Sequence, residues 1–537
     1  MKTYLFPLSL LALIPGIAMA QTPAPEDASA AAPAATTTAP PPAAPPSAAP
    51  PSSAPPPAAP PPTAPPPAVA SPAAAPAPTP LVQLSSLKLL LDKKIISQEE
   101  YDSAMRDIAS TAGTKAAGDT TTLVVGKFAT TIYGFVEADA IHDSTEGLSE
   151  VQGNSQIARN ETFAGQHGQL VGSIRNSRLG VRVKAPELHG IRVTGQLEMD
   201  FLGNEPAVGY PPGSGVSEGS FYANAAFRER HINVKVETPI VDMLFGQTWA
   251  LFGWQPYFHM NTVDIQGAPT EIYSRRPQVR VSKTIKTDPV NVEIAAAALN
   301  PPQRASEAPE GQAGVRVTFN HWKGKRTDGS TGTAVEPASL GVSGDLKYIK
   351  VPVFPAANTT TDKVGTAISF DAFLPILPAN DGGKSGNDLS LTGNFATGYG
   401  MSDQYSSFTG GVAFPSSGTP PTYPQNVDNG IVTFDAAGNL HYVQWYVGNV
   451  GLQYYLPGVG GKVWVAANYG HAESPNATTL GPVAKTRASL DWVNVDLFAD
   501  PLPGFRLGLS YGRTFDNYGD KQQAINDRVQ GSAFFIF

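Results

Sequence analysis

The sequence predicts an all-β chain: a transmembrane antiparallel β-barrel of about sixteen strands, with a disordered Pro/Ala linker and a short helical pair at the N-terminus. Three observations carry this. From about residue 123 onward, apolar and polar residues alternate with period two. Most alternating segments run about 10–13 residues, longer than globular strands and suited to a tilted bilayer crossing. The chain closes on GSAFFIF, residues 531–537, a run of aromatics where a soluble terminus is normally frayed and wet.

The first twenty residues read as a secretory signal peptide. One Lys precedes an apolar stretch, and Ala18, Met19 and Ala20 form the small-residue cleavage pattern before Gln21. Residues 21–80 are nearly all Ala, Pro, Ser and Thr. They bury too little apolar surface to offset ordering and predict an extended linker. Fully extended, it reaches roughly 190 Å at 3.1 Å per residue, enough to run through a periplasm, either as a spacer or in contact with peptidoglycan. A short helical extension spans 81–122. Within it Leu87, Leu90 and Leu91 fall at helical spacing, and Ser97 with Glu100 forms a capping box before Tyr101, Met105 and Ile108. That stripe fits either self-association or packing of the two helices on each other.

Alternation then dominates residues 123–537. In RVTGQLEMDFLG, Val193, Leu197, Met199 and Phe201 share one face, while Arg192, Thr194, Gln196, Glu198 and Asp200 share the other. Such segments fall near 131–142, 174–185, 190–202, 224–237, 240–250, 276–286, 289–299, 313–323, 339–351, 363–374, 387–399, 439–456, 461–472, 484–499, 503–515 and 528–537. With the first strand running upward from a periplasmic N-terminus, the upper connections are long: 143–173, 203–223, 251–275, 300–312, 352–362, 400–438, 473–483 and 516–527. Most lower turns are short, which is the asymmetry of an outer-membrane barrel. The turns at 324–338 and 375–386 break it. In the last segment Val529, Gly531, Ala533, Phe535 and Phe537 share a face. The ending then faces lipid, and Phe535 with Phe537 resembles the signal read by the outer-membrane assembly machinery.

If apolar faces meet lipid, polar faces line a lumen. That face carries Arg178, Arg182, Lys184, Arg192, Arg276, Arg280, Lys286 and Arg316, with Glu137, Asp139, Glu198 and Asp200 as acids. Glu229, His231 and Lys235 share a face on the fourth strand, and Arg175 has the parity opposite to Arg178. Arginines beside a wall of acids create a transverse field that selects charged solutes; alternatively, the charges pair and only stiffen the barrel. The loop 251–275, with Trp254, Tyr257 and Phe258, is too apolar to stand in water. It either folds into the lumen as a constriction or caps the surface against neighbouring protomers.

The stretches YGFVEADAIHDS (133–144), NSRLGVRVKA (176–185), GQLEMDFLG (195–203), FRERHINV (227–234) and LFGQTWALF (244–252) resemble the DcaP-like porin family. The likeness is densest over 131–286. It implies a trimeric sixteen-stranded porin passing small negatively charged organic acids, with lumen roles for Glu137, Asp139, Arg178, Glu198, Asp200 and His231. The long linker, the short helical pair and the insertions at 324–338 and 400–438 depart from the family pattern.

Formal net charge is −8, which gives no electrostatic support for nucleic-acid binding. The absence of Cys removes disulfides, thiolate nucleophiles and Cys-ligated zinc. No H-E-x-x-H motif is present, and no catalytic residue, metal or cofactor is implied. The expected surroundings are outer-membrane lipid, a homotrimer and small anionic solutes. The alternative is a barrel that tethers the outer membrane to the cell wall through residues 21–110.

Overall fold

The computed structural model describes residues 122–537 except 126, 147–149, 155–156, 204–225, 303–305, 329–331, 353–359, 380–385, 406–407, 409–429, 435–438 and 481–486. The signal peptide, the linker and the helical pair lie outside the described residues.

Sixteen strands form one closed antiparallel barrel. They are β1 (Phe128–Asp143), β2 (Gln169–Ser173 continued by Arg178–Lys184), β3 (Arg192–Gly203), β4 (Ala226–Glu237), β5 (Asp242–Trp249) and β6 (Arg275–Lys286). Then come β7 (Val290–Leu299), β8 (Glu310–Arg326), β9 (Ala334–Pro352), β10 (Thr360–Leu377) and β11 (Asp388–Tyr399). The circuit ends with β12 (Gln444–Tyr455), β13 (Val463–Glu473), β14 (Arg487–Leu502), β15 (Phe505–Tyr518) and β16 (Gln523–Ile536). Each pairs with its sequence neighbour, and β16 returns to β1 in the register Phe135↔Ile536 to Asp143↔Arg528.

The seam uses the chain end itself. Gly134 N–H donates to Phe537 O, and Phe537 N–H donates to Gly134 O, both at 3.0 Å. Below that point β1 would be left with a bare edge, and the short strand Thr122–Val125 folds back to pair with Phe128–Thr131. Gly134 is required there because a Cβ would lie 2.2 Å from Arg178 O. Outward side chains are apolar and exposed: Val529 and Phe535 on β16, Leu507 and Leu509 on β15, Val364 and Phe370 on β10. Moving each such side chain from water to hydrocarbon contributes about 1.5–3 kcal/mol. Tyr446, Tyr469 and Tyr511 are exposed on the outward faces of β12, β13 and β15, fitting an interfacial aromatic girdle.

The alternation places all sixteen strands, and the differences lie at bulges and ends. β15 and β16 continue to Tyr518 and Gln523, so the connection expected at 516–527 is a tight turn between two protruding strands. The segment 439–456 divides: 440–442 pairs with 432–434 in a small separate hairpin, and β12 starts at Gln444. β2 is interrupted at 174–177, which resets its parity and turns Arg175 inward, against the alternation. The guanidinium of Arg175 meets Glu150 at 3.0 Å and is buried. In β4 the ladder passes from Glu198↔His231 to Met199↔Glu229, skipping Arg230. Arg230 and His231 are therefore both buried while Glu229 is exposed. Glu229 does not share a face with His231.

Gly134→Val is expected to prevent barrel closure, with a cost above about 4 kcal/mol, the range of special backbone sites. The readout is the heat-dependent mobility shift of a folded barrel on a denaturing gel. A retained shift would mean that the seam does not need this close approach.

Candidate functional site

Residues 250–274, between β5 and β6, do not project from the barrel. They cross its interior, and nearly all are buried. Their backbone bonds are satisfied by the opposite wall. Gln312 Oε1 on β8 accepts from the N–H groups of Leu251 and Phe252 at 2.8 and 2.9 Å. Ser343 Oγ on β9 accepts from Gly253 N–H at 2.8 Å. On the far side, Asp496 of β14 accepts from Val263 N–H, and Asn468 of β13 and Asn449 of β12 donate to the carbonyls of Asn261 and Thr270. Buried backbone groups need such partners, and inward Asn, Gln and Ser on β8, β9 and β12–β14 supply them.

The wall is also shaped for the loop. A Cβ at Gly314 or Gly341 would lie 2.8 Å from Trp254, at Gly508 2.8 Å from Val263 Cγ2, and at Gly470 1.8 Å from Thr270 Oγ1. Ala295 and Ala297 on β7 pack with Trp254, Phe258 and Phe373. Small inward residues thus form sockets for the loop's bulky ones. Within the loop, Glu271 accepts from the N–H groups of Met260 and Ala268. Burial pushes its carboxyl up to about 7, and burial pushes Asp264 up to about 6 against the opposing pull of Arg528. Both acids hold a proton more tightly folded than unfolded. Their contribution to loop packing is therefore full below the ordinary carboxylate range and is lost as pH rises through about 6 to 7.

The predicted site residues divide into two groups. The first is buried, some of it in ion pairs and the rest in hydrogen bonds or packing. Glu198 meets Arg230 at 2.8 Å, Arg178 at 3.5 Å and Tyr133 Oη at 2.9 Å. Asp200 meets Arg228 at 2.6 Å and Arg230 at 3.0 Å. Arg276 meets Glu310 and Asp403. Asp139 accepts from Asn176, Gln530 and Ser532, and Glu137 is fully buried beside it. His231 Nδ1 lies 2.9 Å from Thr248 Oγ1, its ring edge-on to Trp249. Trp254 donates to Val342 O at 3.0 Å, and Phe258 is buried beside it.

The second group lies on the inward parity along β2–β8 and is partly exposed. Arg182 lies 5.0 Å over the Tyr133 ring. Arg280 donates to Trp249 O at 2.5 Å and Gln278 Oε1 at 3.0 Å, both neutral acceptors. Arg316 sits 3.5 Å over the half-exposed Tyr257 ring and 2.7 Å from Glu293. Lys184 and Lys286 are exposed on the inward parity near the lower mouth, and Arg192 there pairs with Glu237 at 3.5 Å. Phe535 faces outward, and Phe537 closes the seam. Besides Arg175, the alternation misses Arg228 and Arg230, because the β4 bulge hides their inward direction.

No family model matches the chain, and no curated protein matches it. Among solved structures it is similar to the outer-membrane channel DcaP of Acinetobacter baumannii, with a TM-score of 0.54 at 15% identity over 79% of this chain and 100% of that one. An anion-selective porin from Comamonas acidovorans and OmpF of Salmonella typhi in complex with daunomycin superpose less well. Their TM-scores are both 0.42, at 11% and 12% identity, over 76% and 78% of this chain and 100% of each of theirs. The fold is that of the outer-membrane channel barrels. Within that class it follows the DcaP channel, as the sequence stretches between 133 and 252 suggested.

The Cys-free chain allows a direct check of the loop's path. Val263→Cys with Gly508→Cys should form a disulfide on oxidation, because a Cβ at position 508 would lie against the Val263 side chain, 2.8 Å from its Cγ2. Free thiols remaining in the folded, oxidised protein would show that the loop does not cross to β15.

Proposed function

We propose that this chain is an outer-membrane porin for passive diffusion of small hydrophilic solutes, preferentially anionic organic acids, assembled as a homotrimer in outer-membrane lipid. In this reading residues 21–121 extend into the periplasm, and no chemistry occurs, only flux through a tuned passage. One observation carries the anion preference. The inward face of β2–β6 carries partly exposed cations held on an aromatic ring or on neutral acceptors, Arg182 and Arg280 first, while most inward acids are already neutralised in buried pairs. The field in the open passage is then positive although the chain is acidic. Tyr257 and Arg316 form the edge of the loop that a solute would pass.

The test is planar-bilayer recording of the refolded protein under a KCl gradient. Anion-side reversal is expected, with conductance steps in threes. Arg182→Gln with Arg280→Gln should move the reversal toward cations. Each charge about 8 Å from a passing ion contributes about 0.5 kcal/mol in water, so the pair changes local anion concentration roughly fivefold at low salt. An unchanged reversal potential would show that these side chains do not face the ion path.

A further inference from the structure

The ends of β8 and β9 that flank one of the two lower turns breaking the sequence pattern, Lys323–Asp328 and Thr333–Pro337, bend into the barrel. Their ladder is regular to Phe319↔Ala338, then omits Asn320, His321 and Trp322 and resumes at Lys323↔Pro337. Beyond that bulge they lie against lumen-facing residues of strands that are not their neighbours. Ser390 Oγ of β11 donates to Lys325 O at 2.6 Å, and Lys325 Nζ meets Asp388 at 3.1 Å. Thr327 and the Gln453 side chain of β12 exchange two hydrogen bonds of 3.0 Å. Gly324 allows the approach, because a Cβ there would lie 2.6 Å from Pro375 Cβ.

From this position the buried Arg326 reaches the crossing loop. One terminal nitrogen donates to Pro256 O at 2.8 Å and His259 O at 3.4 Å, and the other faces Glu336 at 3.3 Å. Two carbonyls and a carboxylate around one site need a planar, multi-donor cation, which Lys does not reproduce. The segment so held carries Tyr257 and Phe258.

We propose that these inward-bent strand ends form the floor of the filled half of the barrel, and that Arg326 is a positioning residue that fixes Pro256–His259 and so confines flux to the basic half. The proposal rests on the diffusion-channel reading. Its test uses full-length Arg326→Gln and Arg326→Lys, each checked for folding by gel mobility; if the first does not fold, the second decides. Two readouts are taken. One is bilayer conductance and reversal potential. The other is the thiol-labelling rate of Met260→Cys, a buried position next to the held segment that reports loop position without any current. Faster labelling is expected, with conductance roughly doubled and reversal nearer zero as a second path opens. Unchanged labelling in the folded variants overturns the proposal whatever the current. Faster labelling with unchanged conductance overturns the confinement of flux. Faster labelling with a silent wild type keeps the positioning role and removes the diffusion-channel reading instead.

Discussion

Closure of the backbone hydrogen-bond circuit is the constraint on which the rest depends. In hydrocarbon an unpaired N–H or C=O costs several kcal/mol, so a sheet that crosses a membrane must leave no edge. Here the circuit is completed between Gly134 and the terminal Phe537, and the strand at Thr122–Val125 covers what lies below. Once the sheet is closed, alternation has only two destinations. Odd and even residues go to lipid or to the interior, and every long polar side chain on the inward parity must find partners there. The aromatic ending is part of the same logic. Phe535 faces outward, while Phe534 packs inward against Phe135 at 6.3 Å.

The interior answers that demand unevenly. Along β7–β9 and β12–β15 the inward face includes Ala, Gly, Asn, Gln and Ser that serve as sockets or hydrogen-bond partners for the crossing loop, among larger buried side chains such as Trp464 and Trp492. Along β2–β6 it presents Arg and Lys; Arg228 and Arg230 donate to Gln266 of the loop, whereas Arg182 lies over Tyr133. Cation–aromatic contacts hold guanidiniums at the boundary: Arg182 on Tyr133, and Arg316 on Tyr257, where Glu293 also pairs with it. A guanidinium stacked on a ring keeps its charge available to a passing solute, whereas one in a bidentate pair, as between Arg228 and Asp200, does not.

Much of this was legible in the sequence, because period-two alternation over crossing-length segments is a strong signal. It located every strand and the inward parity of Arg182, Arg280 and Arg316. It failed where a ladder gains or loses a residue. The bulge at Arg230 and the break at 174–177 each shift parity by one, and neither leaves a mark in composition. That is why Arg175 and Glu229 were turned the wrong way, and why Arg228 and Arg230 escaped notice. The sockets did leave a mark: Gly314, Gly341, Gly470 and Gly508 all sit on inward positions of long strands, where a glycine weakens the strand unless another group approaches closely. Read together with the aromatic loop, they point to its path. The inward bend of the β8 and β9 ends had only the excess length of their connection as a sign.

The central claim is that solute passes along the basic half while the other half is filled. The most direct measurement places a single thiol on each side of the Cys-free barrel and adds a bulky thiol reagent during bilayer recording. Ser282→Cys lies on the inward face of β6, and Thr392→Cys lies on the inward face of β11. The account predicts that the reagent cuts the current of the Ser282→Cys channel and leaves that of Thr392→Cys unchanged. Equal block at both positions, or block at Thr392→Cys alone, would contradict it.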